Sequence, residues 1–295
     1  MKKLLLVALV ALTACGRSEA PADSAAAMPE ANAGPDLDAI LAAQPAEVQA
    51  RYRYRNPGET LRFFGIEPGM VVVEALPGGG WYTKILLPYL GPDGEVIGAD
   101  YAKDMWPLFG FFGEDFIASK ETWVEDWVAE AESWTDENGA ELSAFVLGSL
   151  PQEMAGSADA VLFIRALHNM SRFESSGQGT YLSDAIGDAY RVLKPGGILG
   201  IVQHEAPADA SDEWASGSRG YMKKDHVIRV VEAAGFEFVA ESDINRNPKD
   251  QPGADDVVWR LPPSVNRDDV DEATWNAVQE IGESNRMTLK FRKPM

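Results

Sequence analysis

The sequence predicts an α/β domain built on a seven-stranded, mostly parallel sheet, with an antiparallel edge strand and helices on both faces. Three observations carry that expectation. Residues 71–75, VVVEA, are an unbroken apolar run that ends in a carboxylate and leads to a glycine cluster at Gly78, Gly79 and Gly80. A buried strand, a tight turn and a helix in that order open nucleotide-binding sheets. Further strand-like runs then alternate with amphipathic segments, the pattern of parallel strands joined by crossover helices. The last two runs, 236–242 and 287–292, have no clear crossover helix between them, so an antiparallel hairpin at one edge is expected.

The chain begins with Lys2 and Lys3 before an apolar stretch, 4–12. That stretch is too short to span a bilayer and has the length of a secretory signal core. It ends in Leu12-Thr13-Ala14-Cys15, which resembles the lipobox of bacterial lipoproteins; an incidental Cys after a secretory peptide is the alternative. The expected organisation is a signal peptide over 1–14, a lipidated Cys15 with a flexible tether over 15–36, and a folded domain over 37–295. The tether is rich in Ala, Pro, Ser, Glu and Asp, a composition that buries too little surface to offset ordering. Gly16 after the Cys resembles lipoproteins sent to an outer membrane, so a periplasm-facing envelope location is expected. Cys15 is the only cysteine; it says nothing about disulfides or nucleophilic catalysis and fits an exported chain that avoids stray thiols. A net charge of -20 opposes nucleic-acid binding and docking on anionic lipid. The expected partner is therefore a small molecule, with the membrane met only through the anchor.

Within the domain, residues 37–49 suggest a short helix, followed by the basic run Arg51-Tyr52-Arg53-Tyr54-Arg55. That run either binds a carboxylate or phosphate or neutralises nearby acids. A helix over 59–64 ends at Gly65, a C-cap glycine. After the glycine loop a helix over 81–89 leads to a strand, 95–99, with Asp100 at its tip, where a carboxylate can accept ribose hydroxyls. Trp123, Trp127, Ala131 and Trp134 recur at helical spacing and should pack on the sheet. Residues 105–112 are interrupted by Pro107 and Gly110 and read either as core or as a lid or substrate wall.

The third strand is expected over 142–148, and the fourth, 159–166, delivers His168, Asn169 and Met170 to a loop at the ligand-bearing edge. A helix over 181–193 is stopped by Lys194-Pro195-Gly196-Gly197, and the fifth strand, 198–203, carries His204 and Glu205 to the same edge. Asp225 is placed to cap the next helix, with Gly235 at its end. A polar, Pro-rich insertion, 243–285, precedes the last strand. His168 and His204 are the candidate general bases, since imidazole titrates near working pH; His226 falls in a first helical turn and reads as structural.

Over roughly residues 61–293 these features resemble the class I S-adenosylmethionine-dependent methyltransferases, which have a Rossmann-like sheet. The matching pieces are VVVEALPGGG, VIGAD, LGSLP, ADAVLFIRALHNM and AYRVLKPGGILGIV. PGGGWYTKIL, LHNM, RVLKPGGILGIVQHEA, VEAAGFEFVAESDINRNP and the terminal LKFRKP together resemble, more narrowly, a bacterial family of exported methyltransferases known from prediction. The resemblance implies S-adenosylmethionine as cofactor, with Gly78, Gly79 and Gly80 against its methionine part and Glu74 orienting that loop. It further implies Asp100 on the ribose, and Ser149 and Leu150 near the adenine. Two positions depart from the family pattern: Leu76 stands where the first glycine belongs, and Ser149 where an Asp usually meets the adenine amino group. A methyl acceptor bound beside His168 and His204 is the expected substrate. The rival expectation is a silent methyltransferase-fold protein binding a small envelope ligand. His168, His204 and Glu205 lack metal-motif spacing, so no metal site is expected.

Overall fold

Side chains alternate across a strand, so each strand feeds two core layers. Val73 and Ala75 enter one layer with Ile97, Ala99, Val161, Phe163, Leu199 and Ile201, while Val72 enters the other with Val96, Ala160, Leu162 and Val202. The computed structural model describes residues 34–295, so the signal peptide, Cys15 and most of the expected tether lie outside the described residues.

The strands are β1 (Val71–Ala75), β2 (Glu95–Asp100), β3 (Glu141–Val146), β4 (Ala158–Ile164), β5 (Leu193–His204), β6 (Glu237–Ser242) and β7 (Arg286–Arg292). They form one sheet in the order β3-β2-β1-β4-β5-β7-β6. The first five run parallel. β7 is antiparallel to both β5 and β6, so the expected hairpin is present at the edge and its reversed strand pairs inward with β5. The order changes direction between β1 and β4. That is the switch point at which open α/β sheets hold ligands, beyond the carboxyl ends of the strands.

The helices are α1 (Leu37–Ala43), α2 (Ala46–Gln49), α3 (Tyr52–Arg55), α4 (Pro57–Phe64), α5 (Thr83–Leu90), α6 (Glu114–Ser119), α7 (Trp123–Glu132), α8 (Leu167–Ser175), α9 (Tyr181–Val192), α10 (Lys224–Ala233) and α11 (Glu272–Ile281). α1, α4, α5 and α7 cover one face, and α8, α9 and α10 the other. The apolar stripe Leu182, Ala185, Ile186 and Ala189 of α9 is buried as its spacing predicts.

Four local expectations are corrected. His168, Asn169 and Met170 are in the first turn of α8, not in a loop, because the chain turns into helix directly after β4. Lys194 to Gly197 do follow the end of α9, but β5 begins at Leu193 and not at residue 198, so they lie within the strand. The Gly196 N–H donates to the Lys293 carbonyl and the Lys293 N–H to the Gly197 carbonyl, so the chain's end extends β5 backwards. Asp225 is no cap: Lys223 holds that position, without a side-chain hydrogen bond. The predicted first helix is broken into α1 and α2 at Pro45, which lacks the N–H to continue it.

Gly98 lies in mid-strand beneath Trp127, and a Cβ there would come within 2.6 Å of the indole ring. Trp127 is buried, so it cannot swing aside cheaply. Gly98→Ala is expected to lower stability by about 1–3 kcal/mol through overpacking, read as a lower urea midpoint at unchanged slope.

Candidate active site

The carboxyl ends of β1 and β4 share an unusual backbone. Leu76 (φ 56) and Arg165 (φ 62) both follow directly on these paired strands in the left-handed region, which costs a non-glycine residue roughly 1–2 kcal/mol. The Leu76 N–H still reaches the Ala99 carbonyl, and the Arg165 N–H the Val202 carbonyl. Each ladder thus continues one residue past its strand before the chain turns. Leu76 keeps the backbone turn open to a glycine while adding a side chain. Gly78 (φ 54) and Gly80 (φ 77) continue the turn into α5.

The three glycines differ in what surrounds them. A Cβ on Gly79 would meet nothing within 4 Å, and one on Gly78 only the Leu76 carbonyl oxygen at 4.0 Å. Gly80 is buried under Trp134, whose ring would lie 2.3 Å from a Cβ. It serves packing, and the exposed Gly78 and Gly79 present bare backbone. Glu74 is buried and accepts a hydrogen bond from the Thr83 hydroxyl at 2.7 Å. It therefore ties the end of β1 to the start of α5 across the loop. Burial, only partly offset by that hydroxyl, pushes its carboxyl up to about 7.

Asp100 ends β2 with one oxygen accepting from the Tyr101 N–H at 2.9 Å and the other from Lys120 Nζ at 3.0 Å. Burial outweighs the lysine and pushes this carboxyl upward. Lys120 comes from the segment after α6 and lies over the rings of Trp106 and Phe116. Trp106 also packs on Phe109 and Phe112, so the aromatic segment forms a cap beside β2. Its inner part, Met105 and Trp106, is core, whereas Phe111 is 70% exposed. Beyond β2 and β3, a cleft of about 780 Å³ is lined by Lys103, Asp104, Ser149 and Tyr181 among others. Ser149 faces this cleft, but Leu150 is buried in the core.

His168 and His204 come together, their ring centroids 5.5 Å apart. Both are 7% exposed. Burial pushes His168 down to about 4 and His204 well below its ordinary value, with nearby arginines adding to both effects. His204 Nδ1 lies 2.5 Å from Ser284 Oγ, whereas His168 Nδ1 is buried without a partner among the described residues. The backbone of α8 is held by close approach of Gly217 (φ +99), where a Cβ would lie 2.0 Å from the His168 carbonyl oxygen. The histidines line a cavity of about 210 Å³ with Leu76, Arg165, Trp259 and Arg286. Glu205 is turned away into an ion pair with Arg246, and His226, on α10, is not part of the cavity.

Sequence reasoning missed Arg165, Trp259, Ser284, Arg286 and Lys120. A charge inside the apolar run ADAVLFIRAL was the available signal for Arg165; for the others no local pattern existed. The basic run 51–55 turns inward: Arg51 and Arg55 pair with Glu283, and Arg53 packs over Tyr54, which is the charge-neutralising alternative. Among the described residues no three His, Cys, Asp or Glu side chains converge as a metal-binding group, and no helix is long and apolar enough to cross a membrane.

No protein-family model matches the chain, and no curated protein matches it. Solved structures to which the chain is similar include an S-adenosylmethionine-dependent methyltransferase from Aquifex aeolicus, at 17% identity and TM-score 0.45, with 71% of this chain and 93% of that one covered. Another is an S-adenosylmethionine-dependent methyltransferase from Mesorhizobium loti, at 15% identity and TM-score 0.42, covering 80% and 96%. A third is the 4+2 cyclase SpnF, at 17% identity and TM-score 0.48, covering 82% and 80%.

Two buried groups give opposite pH dependences of stability. The His168 imidazole takes up its proton near 6.5 when unfolded but near 4 when folded, so stability falls as pH drops through that window. Glu74 keeps its proton to about 7 when folded but loses it near 4.5 when unfolded, so its contribution is present below 4.5 and lost as pH rises through 7. Glu74→Gln removes only the second effect. Its stability advantage over wild type should grow from about pH 4.5 to 7, to a limit on the order of 3 kcal/mol, measured by urea denaturation across pH.

Proposed function

We propose that this protein transfers a methyl group from S-adenosylmethionine to a small-molecule acceptor bound beside His168 and His204. The observation that carries the reading is a single edge of the sheet, at its switch point, bearing an open glycine turn, a strand-tip carboxylate and a histidine-lined cavity. The residues present fit the cofactor: Gly78 and Gly79 leave space a Cβ would fill, and Ser149 lines a cleft adjoining the end of β2. Asp100 already accepts from Lys120 and Tyr101, but a carboxylate has about four lone-pair sites, so ribose hydroxyls can share it.

When bound, S-adenosylmethionine supplies an electrophilic methyl on a sulfonium. The chain's own part is orientation of the acceptor and removal of its proton. His168 and His204 are neutral at working pH and able to accept that proton. A base as weak as His168 suffices for a hydroxyl acceptor, whose proton becomes strongly acidic once its oxygen bonds to the methyl carbon. Both imidazoles are buried, which limits bulk water around the reacting atoms.

The lipobox-like Leu12-Thr13-Ala14-Cys15 supports a second part of the proposal: a chain anchored by a lipid on Cys15 and facing the periplasm, at the outer membrane given Gly16. A second functional reading, a catalytically silent binder of a small envelope ligand, is favoured by Leu76 at the first glycine's place and by Lys120 on Asp100.

Calorimetric titration with S-adenosylmethionine and S-adenosylhomocysteine decides between them. Binding is expected, weakened about tenfold in Asp100→Asn by loss of charge-assisted hydrogen bonds; its absence favours the silent binder. With an acceptor in hand, His168→Gln should retain cofactor affinity while turnover falls by about 10²–10⁴. Unchanged turnover would remove His168 as the base.

A further inference from the structure

We propose that the cavity lined by His168 and His204 is an oxyanion site, and that the acceptor is a small organic anion whose carboxylate or phosphate group lies against Arg165. That this anion is the methyl acceptor rests on the methyl-transfer reading; the anion site stands without it.

Four guanidinium groups gather at this end of the molecule around one carboxylate. Glu283 is engaged by Arg51 (2.8 Å), by Arg55 (3.3 Å) and by Arg286. Arg286 also donates to the Tyr54 carbonyl and to Ser284 Oγ, so its guanidinium is well satisfied. Arg165 sits within electrostatic range of all four of these charges but makes no side-chain hydrogen bond or ion pair among the described residues. It lines the cavity from a left-handed backbone position, a conformation rare for a long side chain. Carboxylates of the covering segments are already committed, Glu205 to Arg246 and Asp250 to Arg260 and Tyr221.

The result is a local excess of positive charge in a chain of net charge -20, a setting that draws a small anion to one place. The planar guanidinium fork matches carboxylate or phosphate oxygens. Burial first, and then repulsion from Arg55 and Arg286, works against the charge on Arg165; an oxyanion there would favour it. The remaining walls mix apolar Leu76, Ile164, Val258, Trp259, Pro262 and Pro263 with the hydroxyls of Ser264 and Ser284, so an organic anion finds both a surface to pack on and further hydrogen-bonding groups. The volume, about 210 Å³, is that of roughly seven waters in the liquid, which admits a small acid.

The chain has three histidines, so their imidazole resonances can be assigned by single substitutions. The full chain, without cofactor, is titrated at constant ionic strength with benzoate and separately with inorganic phosphate. Saturable shifts of the His168 and His204 signals are expected with at least one probe: benzoate alone identifies a carboxylate site, phosphate alone a phosphate site. Arg165→Gly removes the guanidinium and relaxes the left-handed backbone, so the fold should persist while affinity falls at least about tenfold. Arg165→Lys, keeping charge without the fork, should fall in between. Absence of saturable shifts with both probes would overturn the proposal, as would an affinity unchanged in Arg165→Gly. Failure of S-adenosylmethionine to bind in its own titration would remove the methyl acceptor while leaving this result standing.

Discussion

Glu283 is the interaction on which the site's architecture depends. It is 2% exposed and receives Arg51 and Arg55 from around α3 together with Arg286 from the start of β7. Those arginines hold its carboxyl down to about 2, against the upward pull of burial. Removing one partner of a buried ion pair typically costs about 3–5 kcal/mol because it strands the other charge. Here one carboxylate serves three cations, two of them almost wholly buried. Its neighbour Ser284 reaches His204, and Arg286 lines the cavity, so the same contact that docks the segment before α4 also sets one wall of the site.

Another part of the lining comes from two residues in left-handed backbone. Leu76 and Arg165 stand at the ends of adjacent parallel strands, both left-handed, both lining the cavity. Strained non-glycine residues persist only where surrounding structure over-determines them, and they concentrate at functional sites. At Leu76 the turn is retained while an apolar side chain is added, which narrows the cavity beside the glycine loop. On the other side of β1, Lys120 occupies part of Asp100 and carries the aromatic cap with it. The edge thus has two differently built halves: an open cleft toward β3 and a small, cationic cavity toward β5.

Much of the scaffold was legible in the chain. The β-branched run at Val71, the stripe on α9 and the tryptophans of α7 all packed as their spacing predicts, because period and burial are properties of near neighbours in sequence. The same reasoning rightly ended α9 before Lys194 to Gly197 but started β5 only at residue 198, because the backbone partner that Lys293 supplies to those residues is remote in sequence. It also placed His168 in a loop, since nothing local marks the immediate start of α8 after β4. Of the proposed cofactor residues, Leu150 proved to be core, and the inward turn of a loop side chain has no signature in composition.

What the sequence determined by itself is the alternation of strands and helices, the sites of the glycine turns and the edge to which His168 and His204 are delivered. These follow from two-residue and 3.6-residue periodicities and from the sterics of a missing Cβ, all of them local. Only the tertiary structure decided which charges meet. Arg51 and Glu283 are 232 positions apart, and a Coulomb contact leaves no periodic trace at such a separation. Which arginines would be neutralised, and that Arg165 would be left beside the two histidines without a direct ion-pair partner among the described residues, followed from how the sheet's edge was closed by β7 and the segments packed over it.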